Sequence, residues 1–133
     1  AVVYGNIKED SGTICQPIGR DSKDRKKMAV TMKNSKPATT HFEVIKRYGE
    51  FTHVRCILET VRTHQIRVHM SHIGHPVLGD SLYGEEEPSL IGRQALHASG
   101  LSFIHPITKE RVDFAAPLPE DMRNAITLLS DNV

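Results

Sequence analysis

Glu59-Thr-Val-Arg-Thr-His-Gln-Ile-Arg-Val-His-Met-Ser-His-Ile-Gly-His75 sets the reading of the whole chain. Two arginines and four histidines lie beside an apolar pattern of helical period, with Ile66, Met70 and Ile73 at i, i+4 and i+7. Thr63 fits an N-cap ahead of that stripe, and Gly74 fits a stop with Pro76 just beyond it. The spacing predicts a short helix over 63–73. Arg67 falls off the apolar stripe, which leaves its guanidinium to point at a cleft. Arg62 falls at the head of the helix, where unpaired amides already concentrate positive partial charge. Cations crowded there suit an anionic partner, a carboxylate or a phosphate.

The segments on either side give this helix its setting. Residues 38–48 and 51–58 form a predicted hairpin across Gly49-Glu50. On its second arm Val54, Cys56 and Leu58 face one way, and His53 and Arg55 the other. Earlier come strands over 1–7, 13–18 and 28–32, separated by turn signals at 9–12 and 34–37, with Pro17 interrupting the second strand. Between them, 19–27 carries Arg20, Lys23, Arg25, Lys26 and Lys27 with almost nothing apolar. That loop is either a solvated surface or a contact for a phosphate backbone. Beyond the helix, 75–84 is a compact loop punctuated by glycine, and Glu85, Glu86 and Glu87 are solvated. Residues 89–94 read as a polar linker or short helix. Two strands follow at 95–105 and 111–116, where Leu101 with Phe103 and Val112 with Phe114 supply the alternation. Pro117 to Asp121 opens a last helix whose buried stripe is Met122, Ile126 and Leu129. The sum is an α+β fold, a mostly antiparallel mixed sheet with a few flanking helices. Residues 1–133 are expected to be one domain or a piece of one, without repeat, low-complexity tract or linker.

Composition narrows the classes. The chain has 133 residues, 38% hydrophobic and 5% aromatic, with no Trp, which is lean but globular. The formal net charge is only +1, so local basic clusters matter more than the total. Cys15 and Cys56 form no metal-type pair, and two buried, reduced thiols in a cytoplasmic protein are expected. No apolar run reaches the roughly 18 residues of a membrane span, and no secretory leader is expected. The opening Ala1-Val-Val-Tyr-Gly5 reads as strand interior, so a piece of a longer chain is expected. An exposed sheet edge and self-association through it would follow.

Four chemistries can be weighed. His64, His69, His72 and His75 do not match His-Glu-x-x-His, and no Cys pair assists them, so polar-face and cap histidines are expected and a metal is not. A Gly-x-Ser-x-Gly elbow and a phosphate-cradling Gly-rich loop are both missing from the sequence. Nucleic-acid binding finds support in Arg62, Arg67 and the 20–27 loop, although stacking aromatics are scarce.

The run from Leu58 to Gly84 resembles the signature of RluA/RluD-type pseudouridine synthases, which reads E-T-G-R-T-H-Q-I-R-V-H, then G-H-P, then G-D-x-x-Y-G. Ala1-Val-Val-Tyr-Gly5, Pro17-Ile-Gly-Arg20, Lys27-Met-Ala-Val30, Arg93-Gln-Ala-Leu-His-Ala98 and His105-Pro-Ile107 extend the resemblance over essentially the whole chain. It implies the pseudouridine synthase fold, incomplete at the N-terminus. It also implies an isomerase of uridine in ribosomal large-subunit RNA, working without cofactor or metal on a base flipped from its stack. On this resemblance Arg67 matches the active-site arginine that pairs with the nucleophilic aspartate, since a neighbouring cation favours the ionised carboxylate. Ile66 matches an apolar pocket wall. Arg62, His64, Arg20, Arg25, Lys26 and Lys27 are expected to touch RNA, and Asp80 and Tyr83 to be structural.

Four departures accompany the match, the mildest being Ser81 where the family usually has Pro. The family's nucleophile sits in an R-L-D segment that this sequence does not contain, and its pocket tyrosine would precede Ala1. The 133 residues are therefore expected to be inactive alone, leaving a non-catalytic RNA-binding module as the alternative. Val61 stands where the signature has Gly, which would strain a turn that needs positive φ.

Overall fold

The computed structural model describes residues 1–131 and is α+β, with three antiparallel sheets and two α-helices. In chain order the elements are β1 (Val2–Tyr4), β2 (Ser11–Cys15), β3 (Ile18–Arg20), β4 (Met28–Val30), β5 (Ser35–Lys36), β6 (Thr39–Arg47), β7 (Phe51–Leu58), α1 (Gln65–His72), β8 (Gly100–Ile104), β9 (Arg111–Ala115) and α2 (Glu120–Asp131). The main sheet has the order β1-β7-β6-β2, β3 lies between β4 and β5, and β8 pairs with β9 alone.

The β6–β7 hairpin is the backbone of the main sheet, as its alternation predicts. Its pairing runs from Thr40 opposite Leu58 to Arg47 opposite Thr52. Gly49 turns the chain with φ of 79°, a region that L side chains disfavour. A register shift between Val44 and Lys46 leaves Ile45 half exposed on the outer face. On the inner face Phe42 and Val54 meet Val2, Val3, Ile14, Met70, Val77, Leu78, Met122 and Leu129 in one core. Burial of each such side chain is worth roughly 1.5–3 kcal/mol. The stripe of the last helix is confirmed, with Met122 and Leu129 buried and Ile126 packed against them.

Helix α1 is buried on two sides. Met70 enters the main core, with Ile66 and Ile73 packed at its margin. Val68 joins Ile18 and Ala38 in a second cluster, against Met28, Val30 and Tyr83 from the small sheet and the following loop. The periodicity captured the first face only, because Val68 and His69 lie off the stripe that Ile66, Met70 and Ile73 define.

Several expectations are corrected. The 13–18 strand is two strands, β2 and β3, separated at Gln16-Pro17, since proline has no amide for a ladder. The helix begins at Gln65 rather than 63, and His64, not Thr63, occupies the N-cap in a left-handed conformation with no side-chain cap. Val61 is not among the positive-φ residues and is exposed, so its replacement of Gly brings no strain of that kind. Cys15 is exposed rather than buried, on the outermost strand of the main sheet, and both thiols are free.

The other end of the main sheet is covered. Tyr4 donates its amide to the Pro76 carbonyl, Leu78 to that of Val2, and Val2 to that of Ala95. Residues 76–78 and 95 thus occupy the outer edge of β1. Residues 77–80 are buried throughout, and Gly79 (φ 77°) lies so close to the Arg93 carbonyl that a Cβ there would collide with it. This buried turn carries Asp80 into the molecule.

Candidate active site

Arg67 leaves α1 on the side of that turn. Its Nε donates to Asp80 Oδ2 at 2.7 Å and its Nη2 to Asp80 Oδ1 at 2.8 Å, a two-pronged ion pair. Asp80 has no solvent exposure, and the arginine side chain has 14%. The Tyr83 ring lies under the guanidinium, 5.1 Å from centroid to Cζ, a cation–π contact. Among the described residues Nη1 makes no hydrogen bond. Burial pushes the Asp80 carboxyl up, but the Arg67 bonds and the amides of Leu82 and Tyr83 outweigh it and hold it below the usual carboxylate range. The Asp80 hydrogen bond in turn raises Arg67. Asp80 is spent on Arg67 and on the amides of its own turn; the guanidinium that was to face an acid from outside these residues has a resident acid of its own.

Tyr83 joins three segments. Its oxygen receives the Met28 amide of β4 at 2.8 Å and lies 2.8 Å from His64 Nδ1. The phenol oxygen thus ties the Met28 amide to the His64 ring. Burial, then the Arg67 charge, lowers the His64 pKa, in accord with a neutral ring. His64 holds φ of 55°, a costly conformation for a side chain with a Cβ. Arg20 also acts on both His64 and Tyr83 through its charge.

The basic loop is built rather than loose. Asp21 Oδ1 receives the amides of Lys23 and Asp24, and Asp24 Oδ1 that of Lys26. These bonds, Asp24's amide foremost, hold the Asp21 carboxyl below its ordinary value. Arg20 donates Nη1 to the Arg25 carbonyl at 2.8 Å. Arg20, Arg25 and Lys26 are exposed, and Lys27 is half-buried. Arg62 is engaged elsewhere, giving Nε to the Pro37 carbonyl at 2.9 Å. The charges of Arg67 and Arg20 both act on the His64 ring, while Arg62 anchors a neighbouring turn. Ile66 lines a different feature, an apolar hollow of about 880 Å³ between the outer face of β7 and the β8–β9 hairpin. Arg67 does not line it.

The histidines separate. His69 has no exposure; its Nδ1 lies 2.8 Å from the Thr40 hydroxyl and its Nε2 2.9 Å from the Gln16 carbonyl. His75 Nδ1 meets the Tyr4 carbonyl. Among the described residues no group of three or more His, Cys, Asp and Glu is placed to share a metal ion. Gln65, which the apolar stripe passed over, is the hub of the buried polar network. Its Oε1 receives the Thr60 hydroxyl and the Arg62 amide, and its Nε2 donates to the Thr39 carbonyl and the Thr40 hydroxyl. No spacing rule reveals that role. For Tyr83 a signal did exist, in the Gly-Asp-x-x-Tyr-Gly motif.

The chain matches the family model described as RNA pseudouridylate synthase over residues 1–72. It is 55% identical over 132 residues to an uncharacterised RNA pseudouridine synthase, YlyB, of Bacillus subtilis, covering 99% of this chain and 43% of that protein. It is 46% identical to the ribosomal large subunit pseudouridine synthase D of Neisseria meningitidis serogroup A, covering 97% of this chain and 37% of that protein. The chain therefore spans about two fifths of the length of these relatives. Among solved structures, human RNA pseudouridylate synthase domain containing 1 superposes with a TM-score of 0.76 at 30% identity, covering 97% of this chain and 63% of that one. With more than half of its residues in the family match, the chain belongs to the RNA pseudouridylate synthase family, on its RluA/RluD-type branch.

Proposed function

We propose that this chain is the arginine-bearing part of an enzyme that converts uridine to pseudouridine in large-subunit ribosomal RNA, acting in the cytoplasm without metal or cofactor. A nucleophilic aspartate supplied from outside these residues attacks the nucleotide. The bond from C1′ to N1 breaks, the uracil turns, and C1′ rejoins at C5, whose hydrogen leaves as a proton while N1 gains one. Arg67 pairs with that aspartate through Nη1, and its charge keeps the carboxylate ionised. Arg20, Arg25, Lys26 and Lys27 hold phosphates while the base is extruded, and Arg62 and His64 support the strand beside them. The observation that carries this reading is the Arg67 guanidinium, gripped on one edge by Asp80 with Nη1 unbonded among the described residues.

Release of tritium from large-subunit RNA labelled at uracil C5 tests the proposal. The full-length protein is expected to release it, and Arg67→Met to reduce the rate by about 10²–10³-fold, as removal of one charged stabilising group does. The 133 residues alone are expected to release none; turnover by them would refute a nucleophile located elsewhere. The exposed, well-built basic loop favours a second reading, a non-catalytic RNA-binding module. That reading wins if the full-length protein binds RNA tightly and releases no tritium.

A further inference from the structure

Arginine side chains are long and flexible, and a guanidinium that must meet a carboxylate in one orientation gains from being fixed beforehand. Arg67 is fixed from two directions. Asp80 takes the Nε–Nη2 edge with both oxygens, in the fork geometry that only arginine offers. Tyr83 lies under the plane. Each of these is fixed in its turn. Asp80 Oδ1 receives the Leu82 and Tyr83 amides at 3.0 and 3.2 Å, and Asp80 sits at the end of the buried turn tied to β1 and Ala95. Tyr83 is held at its oxygen by the Met28 amide and His64, and its carbonyl accepts the Ser71 hydroxyl of α1 at 3.1 Å. Helix, small sheet and loop therefore converge on a single cation.

Stability alone does not call for this arrangement. A buried ion pair is weak support for a fold, and an apolar pair of similar size commonly does as well. Nor does a purely structural pair need a partly exposed guanidinium with an unused edge. We infer that Asp80 and Tyr83 are positioning residues for Arg67, and that Asp80 also limits the positive charge Arg67 lends to an acid approaching Nη1. The inference rests on the reading of Arg67 proposed above. Its chemical sense is that a strongly paired carboxylate is a poor nucleophile, so a cation already shared with Asp80 ionises the attacking group without binding it too tightly. The charged and titratable groups that bear on Arg67 are Asp80 and Tyr83, and Arg67 in turn acts on His64.

The test uses the full-length protein and C5-tritiated ribosomal RNA. In Asp80→Asn the kcat should fall about tenfold or more, with KM for RNA within about twofold, because only orientation and charge at the reacting group change. The acid limb of kcat should also move to lower pH, since an unshared guanidinium depresses the attacking carboxylate further. A mispacked but otherwise equivalent enzyme would lose rate without moving that limb. An unchanged kcat, or an unmoved limb, overturns the inference. Should Asp80→Asn fail to fold by circular dichroism, the Tyr83 pair decides. Tyr83→Phe, which keeps the ring, should retain kcat within about threefold, and Tyr83→Leu should lose about tenfold; equal rates in the two overturn it. A fourth readout needs no activity: the Arg67 Nε–H should exchange slowly with water in the wild type, and fast exchange there removes the grip on which the inference stands. A wild type that releases no tritium yet shows slow exchange sinks the functional reading and the catalytic purpose of the pair. An active wild type with insensitive variants sinks this inference alone.

Discussion

Gln65 shows at the scale of one residue how polar burial specifies this fold. Its amide satisfies two donors and two acceptors at once, and among the described residues no buried side-chain nitrogen or oxygen is left without a partner. Gln65→Leu keeps the size and strands the Thr60 hydroxyl and the Arg62 amide. A loss of about 2–4 kcal/mol is expected, read from the urea midpoint, because orphaned buried groups bear their full desolvation cost. The histidines make a second prediction. Burial lowers His53 to about 4, with the Arg55 charge adding to it, and burial is also the leading cause of the lowered His64 and His69. In each case the folded chain binds a proton less readily than the unfolded chain. Stability is therefore complete above the unfolded value of 6.5 and is lost as pH falls from there through the folded values, to about 4 for His53. Thermal midpoints measured from pH 7.5 to 4 should decline on acidification, and His53→Gln should flatten the lower part of that decline.

At the scale of elements, local pattern was a sound guide where one face of an element meets one core. The β6–β7 hairpin and the α2 stripe were legible because alternation and helical period are properties of the chain itself. The start of α1 was not. Thr63 has the right chemistry for a cap, but His64 is drawn into the left-handed region, where its ring meets Tyr83, nineteen positions along. A tertiary contact overrode a capping preference worth about 1 kcal/mol. The same kind of backbone occurs without such a contact at Lys109, φ 61°, in the exposed connection between β8 and β9. Lys109→Gly should therefore raise stability by up to about 1 kcal/mol in a denaturation series. Met122, fully buried in α2, supplies the opposite case: Met122→Ala should cost about 2–5 kcal/mol by the same measurement.

Over the whole molecule, charge is modest in sum and concentrated in place. Arg20, Arg25 and Lys26 project from a loop whose own aspartates are spent on its backbone, so these carboxylates shape the loop while the cations stay outward. Filter binding of RNA by the full-length protein should show log K falling with log salt, and Arg25→Ala or Lys26→Ala should each reduce that slope by about 0.7. A slope unaffected by either change would remove the loop from the interface. The apolar side chains Leu101 and Phe114 stand out on the β8–β9 hairpin, beside the hollow that Ile66 and Ile57 line. The expected strand over 95–105 is shorter, Gly100–Ile104, and its alternation buries no face, because the two strands form a sheet of their own away from the core.

The order of residues alone was enough for the α+β class, the hairpin, the buried stripe of the last helix and the linear motif that marks the family. Each of these is written over a short stretch and survives without knowledge of what lies opposite. The partner of Arg67, the burial of His69 against Thr40 and Gln16, and the meeting of His64 with Tyr83 were decided by the tertiary structure. A polar side chain has several chemically equal partners in the sequence. Only the packing of α1 against two sheets and the 77–80 turn determines which of them arrives within hydrogen-bonding distance.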